Sequence, residues 1–186
     1  LAAAHPRYVY GIFEVEEFDN GVKAVGTDFI LYGEDIKKHL KGCKKAVFFA
    51  ATVSAGIDVL LRRAQVSDIT KAVVTDSLAS VAVEQVCDKF EQIIKNKYQN
   101  YYQTFRFGLG YGDLPIEQQK DFLKLLNAQR LIGLNVSESS MLIPTKSVTA
   151  VIGLSETQIT GQARGCQTCN LREKCQFRVK GGRCNG

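Results

Sequence analysis

Tryptophan is absent from this 186-residue chain, methionine occurs once, proline three times and histidine twice. Each shortage excludes something. Neither His5 nor His39 stands near a plausible nucleophile or at a metal-ligand spacing, and imidazole is the commonest general base near neutral pH, so a histidine-driven hydrolase is excluded. Both histidines are expected on the surface. No run of 18 apolar residues is present, and the opening LAAAHPRYVY lacks the basic flank and apolar stretch of a secretory signal, so a soluble, cytoplasmic protein with no membrane role is expected. The glycines at 108, 110 and 112 are followed by neither the Lys-Ser/Thr ending of a phosphate loop nor the three-glycine spacing of a dinucleotide fold. No internal repeat is visible.

Positive charge is scarce too, once it is located. The net charge is +5, and from Arg164 onward six basic residues and one acid (Glu173) account for all of it. A body of zero net charge lacks the broad basic surface that phosphate backbones require, which argues against a nucleic-acid partner. A basic tail suits an acidic protein partner. The cysteines divide in the same way. Cys43 and Cys87 lie in apolar segments and read as small hydrophobes. Cys166, Cys169, Cys175 and Cys184 crowd the last 21 residues. In a reducing compartment four such thiols favour a metal over disulfides, either zinc or an iron-sulfur cluster, with neighbouring arginines and lysines lowering the thiol pKa values.

The 45% hydrophobic content suffices for one sizeable core. RYVYGIFEVE (7–16) and VKAVGTDFILY (22–32) flank a DNG turn signal and predict an antiparallel pair. A short helix is predicted over 33–41, and KAVFFAATV (45–53) reads as a central strand covered on both faces. A helix follows Gly56. Apolar residues then recur every three or four positions from Asp68 to about Tyr98, including Ile69, Val73, Val74, Leu78, Val81, Phe90 and Ile94, predicting a long core helix capped by Ser67. Residues 106–126 read as strand, glycine turn and a helix from Pro115. Strands are predicted at RLIGLNV (130–136) and KSVTAVIGL (146–154). The expected fold is α+β, a largely antiparallel twisted sheet with a long core helix and flanking helices over residues 1–155, followed by a basic cysteine-rich tail over 156–186.

RFGLGYGDLP (106–115) combines an arginine, three glycines and a tyrosine. A guanidinium grips carboxylates bidentately, glycines let backbone amides approach a flat or anionic group, and a tyrosine offers a ring face and a hydroxyl. That set suits an amino-acid headgroup joined to an aromatic base. It equally describes a strand ending in a glycine turn with a solvent-facing arginine.

The order of motifs narrows the choice. Arg106, Gly110 and Tyr111, then Ser137, Glu138, Ser139 and Pro144, then Ser147, Val148 and Thr149, resemble the activation domain of cobalamin-dependent methionine synthase, including its free-standing relatives in anaerobic bacteria. The similarity runs over residues 10 to about 154. It implies binding of S-adenosylmethionine by Arg106 and the backbone around Gly108, Gly110 and Tyr111, with an acid on the long helix meeting the ligand's ammonium. Glu84 is the candidate acid by position, and Glu138 is the other acid, or a structural partner of Arg106. The resemblance further implies a corrinoid carried by a partner methionine synthase or methyltransferase, remethylated after accidental oxidation with an electron from an acidic redox protein of flavodoxin or ferredoxin type. No catalytic side chain is then required of this chain. The rival readings are a redox protein whose tail is the active part and whose ligand cleft is vestigial, and a docking subunit with no catalytic role.

Overall fold

The computed structural model describes residues 3–159, 173 and 175. The sheet is built first. β1 (Arg7–Phe18) turns through Asp19 and Asn20 into β2 (Gly21–Ala24), which pairs with the short β3 (Ile30–Tyr32). β4 (Lys45–Thr52) pairs along β1 on one side and along β9 (Ser147–Ser155) on the other. Two short strands, β5 (Tyr102–Gln103) and β6 (Phe107–Gly108), share the far edge of β9. Every pairing is antiparallel, in the order β3-β2-β1-β4-β9-β5. A separate hairpin joins β7 (Asn135–Val136) to β8 (Leu142–Ile143).

Because strand side chains alternate, β4 feeds two cores, as its unbroken apolar run requires. Ala46, Phe48 and Ala50 face a cluster with Val151, Leu123, Phe122 and Ile132. This face is covered by α1 (Glu34–Leu40), α4 (Gln119–Leu125) and α5 (Ala128–Ile132). Val47, Phe49 and Ala51 face the other way, against Cys87, Phe90 and Ile94 of α3 (Ile69–Lys97). That helix has 29 residues and is about 44 Å long. Its N-terminal half packs instead on α2 (Ala55–Ser67), where Ile57 and Leu61 meet Ala79 and Val83.

Several local expectations are corrected. Val73, Val74, Leu78 and Val81 have the period of a core face but are exposed, since the N-terminal half of α3 buries only the side that meets α2. Asp68, not Ser67, caps α3, its carboxylate accepting a hydrogen bond from the Lys71 amide at 3.0 Å. The first half of RLIGLNV is helical: α5 ends at Ile132 with Gly133 in the left-handed conformation, φ 70°, and only Asn135–Val136 is strand. His5 is exposed, but His39 is 4% exposed. The edges of Phe105 and Phe107 enclose it, and its Nε2 lies 2.8 Å from Thr104 Oγ1, whose oxygen also accepts from the Gly153 amide.

Cys43 and Cys87 are buried, as their apolar surroundings predict. Burial pushes the Cys43 thiol up to about 11 and that of Cys87 to about 12. Both should resist iodoacetamide at about pH 8 in the folded protein and react once it is unfolded, as mass spectrometry of alkylated peptides can establish. Unfolded thiols ionise near 9.0, so above that pH unfolding releases protons the folded state retains, and stability should fall as pH rises. In the tail, Cys166, Cys169 and Cys184 lie outside the described residues, and Cys175 is half-buried. Among the described residues, no three His, Cys, Asp or Glu side chains are grouped to hold a metal ion, and no helix is long and apolar enough to cross a membrane.

Candidate functional site

Arg106 immediately precedes β6, whose Phe107 and Gly108 pair with Val151 and Ala150 of β9. Phe107 belongs to the core on the α1/α4/α5 side, so strand alternation turns Arg106 to the α3 side. Three consecutive turns of α3 wait there. Nη2 is 2.9 Å from Glu84, Nη1 is 2.9 Å from Asp88 and Nε is 3.2 Å from Glu91. The Arg106 side chain is only 15% exposed, whereas those of Glu84 and Asp88 face solvent. Burial opposes the guanidinium charge, but the hydrogen bond from Arg106 to Asp88 and attraction from Glu91 and Glu84 outweigh it, leaving its pKa above the ordinary value. One cation among three anions leaves this corner negative.

The glycine turn has its own reasons. Gly108 lies beneath the Tyr111 ring, and a β-carbon there would come within 2.8 Å of the ring. Gly110 has φ +88°, the left-handed region, with Ile116 packed below it. Tyr111 is 70% exposed. Asp113 reaches across to α1, which has no capping side chain of its own, and accepts from the Glu34 amide at 2.7 Å and the Asp35 amide at 3.0 Å. Much of the conspicuous RFGLGYGD stretch therefore serves to close the turn and cap a helix.

A groove of about 510 Å³ runs between α3 and the segment leading into β9. From α3 it is lined by Ser80, Val81, Val83, Glu84, Gln85 and Asp88, and from the other wall by Thr145, Lys146, Ser147 and Val148. Glu84 and Asp88 thus belong both to the groove and to the Arg106 cluster. Asp76, Ser80, Glu84 and Asp88 follow one another at four-residue spacing, forming a polar row along the helix. At the Asp76–Ser80 end sits the Lys146 ammonium, 2.8 Å from Asp76 and 2.9 Å from Ser80 Oγ. The volume falls within the usual range for small-molecule sites.

The structure unites Arg106 with Glu84, and Gly108 with Tyr111, as neighbours on the α3 face. It does not bring in Glu138, which stands at the exposed tip of the β7–β8 hairpin. Among the described residues Glu138 forms no ion pair, and the carboxylates on Arg106 are those of α3 instead. Sequence reasoning missed Asp88, Glu91, Ser80 and Lys146. The four-residue spacing of the acids was a readable signal, but Lys146 comes 62 positions after Glu84 and only the fold joins them.

Comparisons with known proteins follow the same line. The family described as vitamin B12 dependent methionine synthase, activation domain, matches residues 23–159. Among solved structures, the crystal structure of the MetH reactivation domain bound to AdoHcy superposes with a TM-score of 0.56 at 16% identity, covering 98% of this chain and 68% of the other. At that identity the likeness speaks to the fold. No curated protein sequence matches the chain.

Proposed function

Because the chain belongs to the activation-domain family of vitamin B12-dependent methionine synthase, we propose that its groove binds S-adenosylmethionine and offers the methyl sulfonium to a corrinoid held by a partner methionine synthase or methyltransferase. The observation that carries this reading is the pair of carboxylates, Glu84 and Asp88, fixed in the groove wall by a shared arginine. A sulfonium and an ammonium are both cations, and two anchored anions at the edge of a partly apolar groove are complementary to them. Val81, Val83 and Val148 supply apolar wall for a flat base, and the exposed Tyr111 ring supplies a stacking face on the same side of the sheet.

The corrinoid, supplied in trans, carries the redox and methyl-accepting chemistry. This chain's part is to bind and orient. Arg106 holds Glu84 and Asp88 at fixed positions, so the carboxylates need not reorganise when the ligand arrives. The open groove leaves one side of the ligand accessible to a docking partner. The same reading extends to an acidic redox protein as electron donor and to the tail as a separate module, in which Cys166, Cys169, Cys175 and Cys184 hold zinc or an iron-sulfur cluster.

Titration calorimetry of anaerobically purified full-length protein, with metal analysis of the same sample, tests both parts. Saturable binding of one S-adenosylmethionine per chain is expected, weakened at least tenfold by Glu84→Gln. Absence of binding at about millimolar ligand, a very weak limit on the affinity scale, removes the methyl-donor site. Absence of zinc and iron removes the metal module.

A further inference from the structure

We propose that Lys146 is the residue that reads the carboxylate end of the ligand, making it the specificity determinant of the groove; this rests on the reading of the groove as an S-adenosylmethionine site. The argument begins with the charges that line the groove, which are two negative, Glu84 and Asp88, and one positive, Lys146. S-adenosylmethionine carries the mirror set: a sulfonium, an ammonium and one carboxylate. A site complementary to it must present a cation to that carboxylate, and Lys146 is the cation in the groove lining.

The obvious rival is Arg106, but its three nitrogens each face a carboxylate of α3, and it does not line the groove. The neutral donors of the opposite wall are spent locally. Thr145 donates through its amide and its hydroxyl to Asp58, at 3.0 and 2.6 Å, and Ser147 Oγ lies 2.7 Å from the Pro144 carbonyl and 2.8 Å from Thr52 Oγ1. Lys146 is differently placed. Its side chain is 16% exposed, and Asp76 and Ser80 anchor its ammonium in two directions. An ammonium has three N–H donors, so one remains.

Spacing supports the assignment. Ser80, on which Lys146 rests, and Glu84 are one helical turn apart, about 6 Å along the axis. The ammonium and carboxylate of an amino acid are substituents of one carbon. A negative and a positive group separated by one turn can grip the two together, the ammonium at Glu84 and the carboxylate at Lys146, which aims the remainder of the ligand along the groove.

The experiment compares S-adenosylmethionine with decarboxylated S-adenosylmethionine in wild-type protein and in Lys146→Met and Lys146→Arg, by calorimetry. Wild type should prefer the carboxylated ligand about 10- to 100-fold, the range of a charge-assisted hydrogen bond. Lys146→Met should erase that preference by weakening the carboxylated ligand alone, and Lys146→Arg should restore part of it. Equal affinity of wild type for the two ligands overturns the assignment while leaving the methyl-donor reading intact, and so does an equal loss for both ligands in Lys146→Met, which marks a purely structural bridge. Binding of neither ligand to wild type fails the underlying reading instead. Because the wild-type comparison needs no variant, poor folding of Lys146→Met leaves the proposal open to refutation.

Discussion

Phe90→Ala should cost about 3–5 kcal/mol of stability, the range for emptying a buried aromatic site. For a chain of this size that is a fall in melting temperature of about 6–20 °C. Phe90 is fully buried on α3 at the point where the helix meets the sheet. Its ring stacks on Phe49 of β4 at 4.6 Å between centroids and leans on Tyr8 and Tyr10 of β1, each at 5.2 Å. One side chain thus ties the helix to two central strands. The fixed sheet and the long helix leave little room for collapse around the gap, which places the loss toward the upper part of the range. Urea unfolding should show a lower midpoint with an unchanged slope, and Phe90→Leu, which keeps most of the volume, should recover most of the loss. A loss below about 1 kcal/mol for the alanine variant, the size expected of a surface change, would mean that α3 is not anchored through this ring. The effect reaches function because Glu84 and Asp88 ride on the same helix, less than two turns before Phe90.

How far these relationships were legible in the sequence depends on their range. The central strand announced itself through an unbroken apolar run at 45–53, since burial on both faces leaves no position for a polar residue. The long helix was legible from its period and from the lack of proline and glycine, but its period overstated its burial. Val73, Val74, Leu78 and Val81 repeat like core residues, yet what covers a helix face is decided by elements distant in sequence, and here only α2 packs on that half. RLIGLNV misled because a five-residue apolar stretch suits helix or strand alike, and Gly133 marks a helix end as readily as a strand break. His39 was placed outside because its polarity was read without Thr104, 65 positions away, which satisfies its ring nitrogen in the interior. At the site, Arg106 and Glu84 could be named from order and chemistry. That they form one cluster with Asp88 and Glu91, and that Lys146 faces the same groove, are tertiary facts with no local signature.

Arg106→Met should be the most damaging substitution at the site, and for a reason a lone binding arginine would not provide. Removing the guanidinium leaves Glu84, Asp88 and Glu91 on successive turns with no cation between them. Breaking a buried pair from one side costs about 3–5 kcal/mol; here two of the carboxylates are well exposed and water screens them, so about 2–3 kcal/mol is the expected loss. The melting temperature should fall by about 4–12 °C. Affinity for S-adenosylmethionine should drop more than tenfold, because the two carboxylates lose the group that holds them at the groove wall. The decisive variant adds Glu84→Gln, Asp88→Asn and Glu91→Gln to Arg106→Met. With the whole cluster neutral, most of the stability should return, since like-charge repulsion and the unpaired anions are gone together. Ligand affinity should not return, because the anions that receive the sulfonium and ammonium have been removed as well. Thermal melts and calorimetry on the four-residue variant separate the two roles. If stability and affinity recover together, the carboxylates belong to the scaffold alone; if affinity survives Arg106→Met unchanged, the arginine does not organise the site.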